Sequence, residues 1–119
     1  MKKAIPLVIL IGVLFVSCSN DSESDLMDPD PDGPISYEAN IKQIIGNNCL
    51  GCHSAPPVNG APFALTTYDQ VRNSTENGNL LAAIKRQTGE SAAMPPAGRL
   101  PQSTIDLIEQ WADEGFLER

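Results

Sequence analysis

The sequence predicts an all-α fold: three to five short helices joined by Pro-rich loops, in one domain running from Ile35 to Arg119. Three observations carry that expectation. Apolar residues recur at helical spacing in several short windows and nowhere alternate long enough for a sheet. Ten Pro and nine Gly in 119 residues interrupt the chain too often for a long coiled coil. The helical windows are also too few and too short to close a core by themselves. A domain of this size usually needs a staple such as a disulfide, a metal or a cofactor.

The residues ahead of the domain read as targeting and tether. Met1–Ser17 has the pattern of an export signal. Lys2 and Lys3 form its positive end, and Ala4 to Val16 is an apolar run too short to cross a hydrocarbon layer of ~30 Å as a helix. The run closes on Phe15-Val16-Ser17-Cys18. A small residue before a cysteine at this depth resembles a bacterial lipobox, with Phe15 standing where Leu is usual. The resemblance implies that Cys18 is diacylated and becomes the mature N-terminus. An uncleaved anchor, or an ordinary signal with a chance cysteine, is the alternative.

Residues 18–34 then comprise that cysteine and a tether carrying Asp21, Glu23, Asp25, Asp28, Asp30 and Asp32 among Pro29, Pro31 and Pro34. Like charges repel and proline stiffens, so the segment is expected to be extended. An acidic run directly after a lipidated cysteine also resembles the surface-export signal of Bacteroidota lipoproteins; a plain solvated linker is the alternative. Together these imply an exported domain, lipid-anchored to a bacterial outer membrane and facing the periplasm or the cell surface.

Within the domain, Ser36 is placed to cap a helix from about Tyr37 to Asn47, with Ile41, Ile44 and Ile45 on one face. Thr67 and Gln70 stand at capping-box spacing before a short turn at Tyr68–Arg72. Asn79–Thr88 reads as a third helix with Leu80, Leu81 and Ile84 apolar, stopped by Gly89. The last helix is expected to start at Ser103, with Asp106 in a first turn favourable to negative charge. Ile105, Ile108 and Ala112 line one of its faces, Leu107 and Trp111 an adjacent one, and Gly115 ends it.

Length and charge remove whole classes of function. One small domain leaves no room for a multidomain enzyme. The formal net charge of −7 would repel a polyanion, so no nucleic-acid partner is expected. Nine acidic against six basic side chains from Ile35 onward leave the domain net negative as well.

The informative stretch is Cys49-Leu50-Gly51-Cys52-His53. Two cysteines three apart lie on one side of a helical turn, a spacing that matches the two vinyl groups on neighbouring pyrroles of a haem. The histidine that follows then sits over the ring and can offer a nitrogen to the iron. This is the attachment pattern of a c-type haem. The rivals fit less well. A structural zinc site needs about four ligands, and this domain has no second pair. A thiol–disulfide exchanger uses the same spacing but normally within a β-α-β unit, and no strand pattern precedes it here. A plain Cys49–Cys52 disulfide is the remaining alternative. Export favours the haem, because c-type attachment happens outside the cytoplasm.

A six-coordinate haem needs a second axial ligand, and His53 is the one histidine in the chain. Met1 belongs to the leader and Met27 to the tether, so Met94 is the sulfur donor left for the iron. It is followed by Pro95-Pro96, which hold the loop stiff around a weakly binding thioether. A methionine used as core filler is the alternative. His/Met ligation raises the reduction potential and closes the iron, which suits electron transfer.

From about Tyr37 to Leu117 the chain resembles a small monohaem cytochrome c of the class I type. The matching features fall in the order of the bacterial version: Tyr37, the Ile41–Ile45 helix, Cys49–His53, Leu65-Thr66-Thr67-Tyr68, Met94-Pro95-Pro96 and Trp111–Gly115. The resemblance implies crossing first and last helices, with one covalent haem c wedged between them and the Met94 loop. Its iron would take His53 and Met94 as axial ligands, and Cys49 and Cys52 would hold it as thioethers. Gly60-Ala61-Pro62 resembles the family segment that accepts the second ring N–H of the ligating histidine, which makes the Pro62 carbonyl the candidate acceptor; a simple turn is the alternative. Phe63, Leu65, Leu81, Ile84, Leu100, Ile108 and Trp111 are candidate haem walls or ordinary core, and Arg86 and Arg99 candidate propionate partners or solvated charges.

The function expected from these readings is electron transfer by a membrane-anchored monohaem cytochrome, not enzymatic catalysis. Its partners would be redox proteins, and net charge suggests a basic docking face on them. Two alternatives stand beside it: a haem-bearing module docked on a larger redox enzyme, and a haem peroxidase or gas sensor in which Met94 leaves the iron.

Overall fold

The structure is a computed structural model that describes residues 33–119; the leader Met1–Ser17, Cys18 and the tether up to Asp32 lie outside the described residues. Among the described residues there is no strand, and the domain is all-α. A π-helical turn over Tyr37–Ile41 runs directly into α1 (Lys42–Asn48), followed by α2 (Tyr68–Glu76), α3 (Leu80–Lys85) and α4 (Gln102–Asp113). No helix of the described residues is long and apolar enough to cross a membrane.

The first helical segment begins where Ser36 caps it. The Ser36 hydroxyl accepts from the Ala39 N–H at 3.2 Å, and its backbone N–H donates to the Asn40 side chain at 3.0 Å. The widened turn is visible in the Ile41 N–H, which reaches back to the Ser36 carbonyl at 3.3 Å. Ile41 and Ile45 are buried and Ile44 lies at the edge of the core, as the apolar spacing predicts.

Helix α2 is longer than the short turn expected at Tyr68–Arg72. Its start is the capping box formed by Thr67 and Gln70, whose side chains satisfy each other's backbone N–H. It continues to Glu76 because Val71 and Thr75 are buried on the same face, where the Thr75 hydroxyl donates to the Val71 carbonyl at 2.8 Å. The exposed pair Arg72–Glu76 lies on the other side. Gly78 then lets the chain turn close under the helix, since a Cβ there would sit 2.7 Å from the Ser74 carbonyl oxygen.

Helix α3 is shorter than Asn79–Thr88. Arg86 is already extended, with ψ at 152°. The chain leaves the helix early because its last carbonyls find other donors. The Met94 N–H reaches the Ala83 carbonyl at 3.1 Å, and Arg99 Nε reaches the Lys85 carbonyl at 3.4 Å. Gly89, with φ of +89°, serves a turn in the following loop and not the helix end.

Helix α4 starts at Gln102, one residue before the expected Ser103. The Pro101 carbonyl accepts from the Thr104 and Ile105 N–H groups at 3.0 and 3.2 Å, so the proline and not a serine hydroxyl opens the helix. Asp106 falls beyond the first turn and accepts from Gln102 Nε2 at 2.7 Å. The helix packs against the π-helical turn and against α3.

Trp111, wholly buried, organises one end of the core. Its ring lies 6.1 Å from Tyr37, 6.2 Å from Tyr68 and 5.0 Å from Phe116, the last two edge-to-face. Gly115, at φ +90°, turns the chain back after α4, and Phe116 follows at φ +63°. A side chain in that left-handed region costs about 1–2 kcal/mol. The turn is offset by what it allows. The Leu117 carbonyl accepts from both the Tyr37 N–H and Trp111 Nε1 at 2.8 Å. The Glu118 carbonyl accepts from the Glu38 N–H at 3.0 Å, and Tyr68 donates its hydroxyl to the Phe116 carbonyl at 2.7 Å. The C-terminal strap thus satisfies the otherwise unpaired first donors of the opening helix.

Candidate functional site

The attachment pentapeptide follows α1 directly. The Cys52 and His53 N–H groups both return to the Cys49 carbonyl, at 3.1 and 2.9 Å, so the chain makes one further turn after the helix. No disulfide joins Cys49 to Cys52. Cys49 packs against the core, and burial pushes its thiol up to about 11. A disulfide exchanger needs a thiol shifted the other way, toward an accessible thiolate. Cys52 is half-buried, and Asn59 Nδ2 donates to its sulfur at 3.7 Å. Among the described residues no three His, Cys, Asp or Glu side chains converge as a metal-ion site.

His53 is buried, 9% exposed, and held on two sides. The Phe63 ring lies 4.9 Å from the imidazole, and the Nδ1–H donates to the Phe63 carbonyl at 2.8 Å. That hydrogen bond selects the tautomer: the proton is on Nδ1, and Nε2 keeps its lone pair for a metal. The expected acceptor was the Pro62 carbonyl. The contact falls one residue later because the loop is positioned by the bond from the Leu65 N–H to the His53 carbonyl at 2.8 Å, which lays Phe63 beside the ring. Pro62 itself is exposed.

Met94 reaches the domain from a separate loop. It is half-buried and packs against the same core that takes Cys49, while its N–H is tied to α3 through Ala83. Leu65, Ile84, Leu100 and Ile108 are buried, Leu81 is partly so, and Phe63 is 45% exposed. Trp111 belongs to the aromatic cluster around Tyr37. Arg86 donates to the Ala92 carbonyl at 3.1 Å, and Arg99 to Lys85, Leu100 and Gln102, so both guanidinium groups brace the ends of the Met94 loop. A shallow open groove of about 350 Å³ between the first helical segment and α4, lined in part by Gln43, Ile44 and Leu107, contains none of the four candidate ligands.

The donor chemistry fits a haem. Two thiols stand on one turn, an imidazole follows with its free nitrogen assigned, and a thioether is carried on a loop braced at both ends. The sequence had no signal for Phe63 as the acceptor, since any residue supplies a carbonyl and only the loop path selects one. No protein-family model, no curated protein and no solved structure matches this chain.

Proposed function

We propose that the domain is a monohaem c-type cytochrome of the class I kind and that it transfers electrons. Cys49 and Cys52 would hold one covalent haem c through thioethers, with His53 Nε2 and the Met94 sulfur as axial ligands. When bound, the haem supplies a reversible one-electron couple. The protein's own contribution is to keep both ligands still. The Phe63 carbonyl holds the His53 Nδ1 proton and so the ring orientation, and the Ala83 bond holds the Met94 backbone. The single observation that carries the reading is the 2.8 Å contact between His53 and Phe63, because it leaves the one imidazole nitrogen a haem iron needs. On this reading the redox work is done without a catalytic centre, and the partners are other redox proteins.

The leader and Cys18 support a lipid anchor on a bacterial outer membrane as the setting. Cys18→Ser is then expected to release the protein from the detergent phase.

The decisive experiment is a pyridine haemochrome spectrum with an intact mass, on protein produced alongside haem-attachment machinery. One haem added to the mass, lost in Cys49→Ser/Cys52→Ser, is expected. A colourless, folded and thermally robust polypeptide would overturn the proposal.

A further inference from the structure

The loop that carries Met94 is closed at a neck. The Thr88 hydroxyl oxygen accepts from the Arg99 N–H at 3.0 Å, eleven residues further along the chain. Met94 stands between these two positions, where the first limb of the loop passes into the second.

Each limb is ordered within itself. On the first, the Gln87 N–H donates to the Glu90 carboxylate, the Glu90 N–H returns to the Gln87 carbonyl at 3.1 Å, and the Ala93 N–H donates to the Glu90 carbonyl at 3.1 Å. On the second, the Gly98 N–H donates to the Pro95 carbonyl at 3.2 Å. Among the described residues, no hydrogen bond other than Thr88–Arg99 runs directly from residues 86–93 to residues 95–99. Ala92 stands at φ +59°, in the left-handed region that an L side chain rarely adopts. The first limb is therefore shaped by its contacts and not by its own backbone preference.

Thr88 is exposed and fills no part of the core. What its side chain contributes is the acceptor that draws the limbs together. Without it the second limb keeps its tie to α3 through the longer contact from Arg99 Nε to the Lys85 carbonyl, at 3.4 Å. The chain on the Pro95 side of Met94 is then free to swing outward, while the Met94 N–H stays on Ala83.

We infer that Thr88 is a positioning residue for Met94: by closing the neck it keeps the thioether on the iron and small competing ligands off it. The inference rests on the haem reading and deepens it, because it names the group that holds the iron to electron transfer and away from ligand binding. A thioether binds iron weakly, so one hydrogen bond is enough to change how often it leaves. A competing ligand then binds in proportion to the fraction of molecules in which Met94 has left.

The test is titration of the oxidised holoprotein with imidazole, followed through loss of the iron–thioether charge-transfer band. Thr88→Val keeps the side-chain shape and removes the acceptor. It is expected to bind imidazole about two- to tenfold more tightly, the range of one net hydrogen bond. Thr88→Ala lacks the same acceptor and is expected to match it. Thr88→Ser keeps the hydroxyl and is expected to return to wild-type affinity. Ser36→Ala removes the cap of the first helical segment. It is expected to lower the denaturant midpoint and leave imidazole affinity unchanged.

Unchanged affinity in both Thr88→Val and Thr88→Ala would overturn the inference. So would equal tightening in Ser36→Ala, since the effect would then be one of general stability, or equal tightening in Thr88→Ser, since the hydroxyl would then be irrelevant. A wild type that carries haem but lacks the charge-transfer band would instead remove Met94 ligation itself. A wild type with the band, and an affinity indifferent to Thr88, removes this inference alone.

Discussion

His53 Nδ1 stands 2.8 Å from the carbonyl oxygen of Phe63, ten residues further along the chain. This contact makes the imidazole directional, with one nitrogen occupied by a proton the backbone holds and the other free. It predicts a His53 Nδ1 proton resonance in slow exchange with water, correlated with the ring in nitrogen-detected spectra. A proton found on Nε2 would assign the wrong nitrogen to the iron.

Met94 is bound to the fold through its backbone and its packing, so under the proposed haem ligation its replacement should spare the domain and change the iron. In Met94→Ala the charge-transfer band of iron–thioether ligation in the oxidised red spectrum should vanish. The reduced form should then bind carbon monoxide rapidly and stoichiometrically, while wild type does so slowly or not at all. A band that survives the substitution would remove Met94 from the iron.

Burial raises the Cys49 thiol from its ordinary value of 9.0 to about 11, which has two consequences for protein made without haem. Alkylation of Cys49 at pH 8 should be slow, since only about one thiol in a thousand is ionised there. Folded-state stability should also depend on pH. A neutral thiol favoured by the fold contributes its full stabilisation below about pH 9, and this is lost as pH rises through about 11. Tyr37, raised chiefly by burial, adds a loss of the same sign at high pH. Thioether formation removes the Cys49 ionisation, as does Cys49→Ala. Denaturant titrations between pH 7 and 11 should therefore show a shallower decline in both the holoprotein and that variant.

Trp111 couples the strap to the opening helix. Trp111→Ala should cost about 3–5 kcal/mol in denaturant unfolding, since it empties a fully buried aromatic site. Trp111→Phe keeps most of the packing but leaves the Leu117 carbonyl with one donor fewer, at a cost of about 1–3 kcal/mol. Equal losses in the two variants would mean that packing around the indole contributes little beyond its hydrogen bond.

Features decided within a few residues are legible in the chain itself. The Ser36 cap, the Thr67–Gln70 capping box, the Ile41–Ile45 face and the Cys49–His53 turn depend on local geometry, and side-chain identity specifies local geometry. The length of α2 was less visible, because what carries it past Arg72 is burial of Val71 and Thr75 against other elements.

By itself the sequence determined the all-α class and the turn at Cys49–His53. Tertiary structure alone decided that Phe63 and not Pro62 receives the His53 proton, that α3 stops at Lys85, and that Leu117 caps the first helix. The physical reason is common to all three. Each depends on a backbone group, every residue offers nearly the same backbone groups, and only the path of the folded chain selects among them.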